Sequence, residues 1–285
     1  FDNRSCKEYA CPNLTLHAIF EPTEFGLPNY SFANRQRFEG QVGKKVLITG
    51  AGSGFGKATA IALAARGHTV IATTETEDQA SALRADAPEL QVEKLDITSE
   101  SDVSGASKFD VDVLINNAGN AHGLDPIQTG NVDDWDAMMD INVKGLLYVS
   151  KAIIPGMTER KSGIIINIGS IAGKEVYPNG NVYCGSKHAV DAITKGMRMD
   201  LNPFGIKVIG IHPGLVETEF SLVRFKGDEK RAETVYQGYE PLVAQDIADI
   251  VEFVVNRPAH VVLADIVVLP TAQAAATLVK KNLPS

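Results

Sequence analysis

The sequence predicts one α/β domain: an open, doubly wound, mostly parallel sheet of seven strands with helices on both faces. Three observations predict it. From residue 44 onward, short apolar runs alternate with helical patterns, which is how a parallel sheet with helical crossovers reads. A glycine-rich turn, Gly50-Ala-Gly-Ser-Gly-Phe-Gly56, separates the first apolar run from the first helix. The 285 residues, 44% apolar and 22% charged, suit one large domain with a full core.

Residues 1–40 differ from the rest: they hold Cys6 and Cys11 and show no clear periodicity. They are read as an N-terminal extension of unknown role, lying on the surface of the main domain (41–285) or on a neighbouring subunit. The start at Phe1 rather than Met fits a fragment or a processed form, and the basic-then-apolar order of a signal peptide is missing. The triplets at Asn13 and Asn29 are expected to be unmodified, and Cys6 and Cys11 lack the partners of a zinc site.

Lys45–Thr49 reads as a buried strand, Lys57–Arg66 as a helix, and Thr69–Thr73 as the second strand. Val92–Asp96 and Val111–Asn116 are the third and fourth strands. A helix follows over Val132–Arg160, expected to break or bend near Pro155. Gly163–Ile168 is wholly apolar and therefore central. A helix runs from about Tyr183 to Leu201, then a strand over Ile206–His212. Gly214–Gly238 reads as polar and irregular, Ala244–Asn256 as a helix, and Asp265–Leu269 as the last strand.

Glycines 50, 54 and 56 allow a tight turn and close approach of a ligand, and the helix behind them offers free N–H groups to a phosphate. In a doubly wound sheet the end of the second strand meets the adenosine ribose. Here it reads Thr73-Thr74-Glu75-Thr76-Glu77. Glu75 would repel a 2′-phosphate and accept the ribose hydroxyls, and Ser53 inside the turn is uncharged, so NAD is favoured, with NADP as the alternative. The other reading of Glu75 and Glu77 is a solvated loop.

Tyr183 and Lys187 are four residues apart, which stacks them on one helix face. A free tyrosine is a poor base at neutral pH, and a nearby ammonium favours the phenolate. The pair is a proton-transfer device, or else an aromatic packed under a snorkelling lysine.

With these pieces in order, the chain resembles the short-chain dehydrogenase/reductase family from about Lys44 to Thr271. The residues that carry the resemblance are Thr49-Gly50-x-x-x-Gly54-x-Gly56, Asp96, Asn116-Asn-Ala-Gly119, Asn142, Ser170, Tyr183-x-x-x-Lys187, Pro213-Gly214 and Thr218. The resemblance implies a Rossmann-type domain and a catalytic tetrad. Tyr183 would be the acid/base, Lys187 would lower its pKa and hold the nicotinamide ribose, Ser170 would orient the substrate oxygen, and Asn142 would support a water chain. It implies cofactor contacts at Gly50, Ser53, Gly54, Phe55, Gly56, Thr74 and Glu75, with Asp96 and Ile97 bordering the adenine. Asn117, Ala118 and Gly119 would line its middle; Pro213, Gly214, Val216 and Thr218, with Tyr183 and Lys187, would hold the nicotinamide end. It also implies a homotetramer or homodimer built on the helices before the fifth and sixth strands.

The stretch Pro213–Asp228 and Pro258-Ala-His-Val261 look like the serine and 3-hydroxy acid dehydrogenase group of that family, many of whose members prefer NADP. Residues 215–238 would then be a substrate lid. Ser170 and Tyr183 would face the substrate, and Arg224 and Lys226 would either pair with its carboxylate or face solvent as loop charges. Cys184 is read as packing and His212 as a satisfied strand residue, and no His/Cys/Asp cluster for a metal is visible. A net charge of −8 without a dense basic block excludes a nucleic-acid partner, and no apolar run is long enough for a membrane span. Three cysteines make no disulfide framework, which fits a reducing cytoplasm. The expected function is hydride transfer between NAD(H) and a small polar alcohol or carbonyl compound, a 3-hydroxy acid foremost. The alternatives are an NADP-dependent serine or 3-hydroxy acid dehydrogenase and, from another class, a dinucleotide redox sensor. A sensor has no need of the Asn142, Ser170, Tyr183 and Lys187 set.

Overall fold

The computed structural model of the chain describes residues 43–282. The expected extension, with Cys6, Cys11 and the Asn13 and Asn29 triplets, lies outside the described residues. The first half runs β1 (Lys45–Ile48), α1 (Gly54–Ala65), β2 (Thr69–Thr74), α2 (Glu77–Asp86), β3 (Gln91–Lys94), α3 (Glu100–Ser104), β4 (Val113–Asn116), α4 (Val132–Met139) and α5 (Leu146–Glu159). The second half runs β5 (Gly163–Ile168), α6 (Asn181–Leu201), β6 (Ile206–Pro213), β7 (Val216–Glu217), α7 (Phe220–Arg224), α8 (Glu229–Tyr236), β8 (Leu242–Val243), α9 (Ala244–Val255), β9 (Asp265–Val268), β10 (Gln273–Ala275) and β11 (Leu278–Val279).

Seven strands form one wholly parallel sheet in the order β3-β2-β1-β4-β5-β6-β9. The apolar strand runs make sense because successive side chains enter opposite layers. Val46, Ile48, Val113, Ile115, Ile164 and Ile166 pack on one face, while Leu47, Leu114 and Ile165 pack on the other. The strand order reverses between β1 and β4, whose ends are in register at Ile48 and Ile115. A ligand crevice opens at the carboxyl ends of such a pair. Among the described residues no helix is long and apolar enough to cross a membrane.

Four expectations change. Gly54–Gly56, expected in the turn, already form the first turn of α1. The segment that follows Thr74, the last residue of β2, is not a loop throughout: Thr76 caps α2 in a reciprocal pair with Gln79, so Glu77 is helical. The break expected near Pro155 is absent, and Pro155 lies inside α5. Pro155 and Lys151, one turn earlier, are both exposed, so the Lys151 carbonyl that loses its donor faces water. The irregularity falls earlier instead, where Asp140–Gly145 is π-helical between α4 and α5. Finally, residues 214–238 are not irregular but carry α7 and α8, the latter capped by Asp228, whose carboxylate accepts from Arg231 N at 3.1 Å.

Candidate active site

The glycine turn meets the fourth strand's exit directly. Gly50 and Gly54 take φ of +64° and +52°, a conformation that favours glycine. A Cβ on Gly56 would collide with the Gly50 carbonyl and with Asn117 Nδ2 at 2.5 Å. Asn117 Nδ2 donates to the carbonyls of Thr49 and Gly50, both at 2.9 Å, and Thr49 Oγ1 accepts from the amides of Asn117 and Ala118, both at 3.1 Å. Ser53 precedes α1 without a side-chain cap bond, which leaves the first-turn amides to a ligand. Phe55 packs partly buried against the core. Across the turn stands Thr218, 3.7 Å from where a Gly54 Cβ would sit.

The rest of the expected cofactor wall follows the strand ends. Thr74 ends β2 buried, and Glu75 beside it is exposed. Asp96 Oδ1 accepts from Thr98 N at 2.9 Å, and buried Ile97 packs onto Gly145, where a Cβ would meet Ile97 Cδ1 at 2.5 Å. Pro213 closes β6, Val216 is buried in β7, and Gly214 packs tightly under Gln273. Gln273 was missed by sequence reasoning. Its Oε1 accepts from Leu215 N at 2.9 Å and so ties the β10–β11 hairpin, also missed, to the Pro213–Gly214 turn. No local motif announces it.

Tyr183, Ser170, Lys187 and Asn142 are all nearly buried. Ser170 follows β5 by two residues and caps a short 3-10 turn, accepting from Ala172 N at 3.1 Å. Lys187 Nζ donates to the Ile168 carbonyl at 3.2 Å and, among the described residues, pairs with no carboxylate; burial pushes its pKa down to about 8. Gly119 makes room here, because a Cβ on it would lie 3.1 Å from Asn142 Oδ1 and 3.2 Å from Lys187 Nζ. Asn142, in the π-helical stretch, accepts from Asn120 N and donates to Asn120 O, both at 2.8 Å, and donates to Ser186 Oγ at 3.0 Å. The expected lowering of the Tyr183 pKa by Lys187 is not what this structure holds. Burial pushes the phenol well up, the neighbouring Tyr177 adds to that, and Ser170 and Arg224 oppose it.

Residues 220–224 of α7 pack against this centre. Phe220, at the start of α7, sets its ring 5.8 Å from that of Tyr183. Arg224, at its end, donates from Nε to the Gly123 carbonyl at 3.2 Å and from Nη2 to Tyr177 Oη at 3.0 Å. Lys226 does not join it: its ammonium pairs with Asp134 of α4 at 2.9 Å. Tyr177 went unnoticed in the sequence, where a lone aromatic in a loop carries no signal. Cys184 is buried as packing.

Behind the centre, the structure gathers a His/Asp cluster that sequence spacing hid. His212 Nε2 lies 2.6 Å from Asp265 Oδ1, and Asp191 is on α6, one turn past Lys187. Lys174 Nζ stands 2.7 Å from both carboxylates, so an ammonium already holds the place a metal ion would take. The four residues come from four separate segments, up to 91 positions apart, which is why no motif shows them.

Comparison with known proteins adds to this geometry. The family model described as short chain dehydrogenase matches residues 44–228. The chain is 41% identical over 241 residues to the NADP-dependent 3-hydroxy acid dehydrogenase YdfG of Salmonella typhi, covering 82% of this chain and 97% of that protein. It is 38% identical over 235 residues to a serine 3-dehydrogenase of Rhizobium radiobacter, covering 80% and 94%. Among solved structures, the closed form of serine dehydrogenase complexed with NADP+ superposes with a TM-score of 0.79 at 39% identity, over 82% of this chain and 98% of that one.

Proposed function

Because the chain belongs to the short chain dehydrogenase family, we propose that it moves a hydride between a nicotinamide dinucleotide and a small polar hydroxy acid or its carbonyl counterpart. It is an oxidoreductase. The observation that carries the finer reading is the burial of Tyr183, hydrogen-bonded to Ser170, and of Lys187, against Gly119, near a glycine turn whose cradle a single Cβ would fill. The cradle has room for a dinucleotide: the α1 amides would take its phosphates, Asn117–Gly119 would line its middle, and Lys187 would hold a ribose hydroxyl. When bound, the nicotinamide supplies the site that takes or gives the hydride. Tyr183 passes the proton to or from the substrate oxygen, and Ser170 holds that oxygen by a hydrogen bond. Asn142, satisfied on three sides, fixes Asn120 and Ser186 and so holds the floor of the site. Arg224 has Nε and Nη2 engaged, which leaves Nη1 for a substrate carboxylate.

Glu75, exposed at the exit of β2, supports NAD. The relatives named as NADP-dependent support the second reading, NADP. Exposed Leu147 and Tyr148 on α5 and Met199 on α6 support self-association as a tetramer or dimer. The test is initial rate with NAD+ and NADP+ on serine, allo-threonine, 3-hydroxybutyrate, 3-hydroxypropionate and a neutral secondary alcohol. Turnover of the acids with NAD+ is expected. Preference for NADP+ overturns the Glu75 argument, activity on the neutral alcohol alone overturns the substrate class, and full turnover by Tyr183→Phe overturns the acid/base.

A further inference from the structure

We propose that Arg224 is a positioning residue that acts through Tyr183: docking of α7 brings its guanidinium against the phenol ring and so couples proton transfer to the closed lid. This rests on the reading of Tyr183 as the acid/base and goes beyond the carboxylate role given to Arg224 above.

The guanidinium stands near two tyrosine rings. Arg224 Cζ lies 5.4 Å from the centre of the Tyr183 ring and 5.5 Å from that of Tyr177. Both distances are within cation–π reach. The guanidinium is pinned there from two elements, by the Gly123 carbonyl after β4 and by the Tyr177 hydroxyl. The backbone repeats the first tie, since Gly123 N donates to Arg224 O at 3.0 Å. Tyr177 is itself fixed, because its ring lies flat on Gly180, where any Cβ would strike it. The two ends of α7 thus bring different things to one phenol: Phe220 brings apolar contact and Arg224 brings charge.

Those two contributions oppose each other. Covering a phenol with apolar groups disfavours its anion, whereas a cation within about 4–6 Å favours it by one to three pH units. The polar and titratable neighbours of Tyr183 are Ser170 from the turn after β5, Tyr177 from the loop after it, Cys184 from α6, and Arg224 from α7. Lys187, one helical turn along α6, gives its ammonium to the Ile168 carbonyl. Of these neighbours, Arg224 is the cation that the lid delivers, so a lid that lifts removes the charge that favours the phenolate.

The experiment measures kcat against pH for the cofactor-saturated enzyme in the alcohol-oxidising direction, where the phenolate is the required form. Wild type, Arg224→Met and Arg224→Lys are compared on a 3-hydroxy acid and on a neutral alcohol. In Arg224→Met the acid limb of kcat is expected to move up by about one pH unit or more on either substrate. Arg224→Lys, which keeps the charge, is expected to recover at least half of that shift. A limb that stays in place in Arg224→Met overturns the proposal, and so does a shift that Arg224→Lys fails to reduce. The carboxylate role is read separately, as a KM increase confined to the acid substrate, so either reading can fail alone. Should Arg224→Met not fold, Arg224→Gln, which drops the charge and keeps a donor for the Gly123 carbonyl, takes its place: the same upward shift supports the proposal, and an unmoved limb overturns it.

Discussion

Two lysines flank the Ser170 turn, and the protein treats them in opposite ways. Lys187 lies inside the active site with one carbonyl for company, and burial pushes its pKa down to about 8. Lys174 leaves the same turn on its other side; burial pulls its pKa down too, but the bonds to Asp191 and Asp265 outweigh that and the net shift is upward. Asp191 sits one turn beyond Lys187 on α6, close enough in sequence to show that the helix could have supplied Lys187 with a carboxylate. It supplies Lys174 instead. A buried cation without a counter-charge is costly to keep, and such groups gather where a ligand will meet them. A cation held between two carboxylates serves to join segments, here the Ser170 turn, α6 and β9.

The largest effect that tests this contrast is Lys187→Met. It should lower kcat by about a hundredfold or more, the range of a lost acid/base partner, while thermal unfolding shows Tm unchanged or raised. Linkage gives a second readout. The folded pKa of about 8 lies below the model-peptide value of 10.5, so the unfolded chain binds more protons between them and stability rises with pH across that window. Lys187→Met should flatten that rise. A variant that lost stability and kept kcat would remove the distinction between the two lysines.

Next in size is Lys174→Met. Its side chain is 19% exposed and that of Asp265 is 40% exposed, so solvent screening reduces the cost of leaving the carboxylates unpaired. We expect a loss of about 1–2 kcal/mol in urea unfolding, with kcat within about threefold of wild type. Adding Asp265→Asn should recover part of the loss, because it removes the carboxylate left behind. If Lys174→Met cost as much kcat as Lys187→Met at unchanged stability, the cluster would belong to the chemistry and the contrast would fail.

The same contrast explains what was legible in the sequence. The glycine turn and the pair Tyr183 and Lys187 are contiguous or one helical turn apart, so they could be picked out locally, while Asn116–Gly119 came with the family resemblance. The strands were legible because each apolar run feeds both faces of the sheet, as Val46, Leu47 and Ile48 show. What stayed hidden is assembled across distance. Arg224 reaches Gly123, 101 positions away, and Lys174 reaches Asp265, 91 away. The sign of the Tyr183 shift was equally out of reach, because it depends on how deeply the fold buries the ring. The π-helical stretch had no proline to announce it, whereas Pro155 announced a break that α5 does not show.

The smallest effect sits at His212, the fourth member of the paired cluster. Its ring is 1% exposed and lies against Gly169 and Gly210, where a Cβ on Gly210 would come within 2.5 Å of Nε2. Burial lowers its pKa, Lys174 lowers it further, and Asp265 and Asp191 oppose the shift. A histidine depressed below its ordinary value of about 6.5 binds fewer protons folded than unfolded, so stability falls as pH drops from about 6.5 toward the folded pKa. Asp191 and Asp265 are also held below the carboxylate range, so their contributions are lost only at lower pH, below about 4. Lys174, raised, loses its contribution only at alkaline pH. His68 is lowered as well and titrates in the same window, so the informative quantity is the difference between wild type and His212→Gln. That difference should reach no more than about 1 kcal/mol between pH 7 and pH 5, with the variant showing the shallower loss in chemical unfolding. A steeper loss in the variant would mean that Asp265, 2.6 Å from Nε2, holds the imidazole charged in the fold. The cluster would then carry two cations against two carboxylates, and Lys174 would no longer be the group that neutralises both.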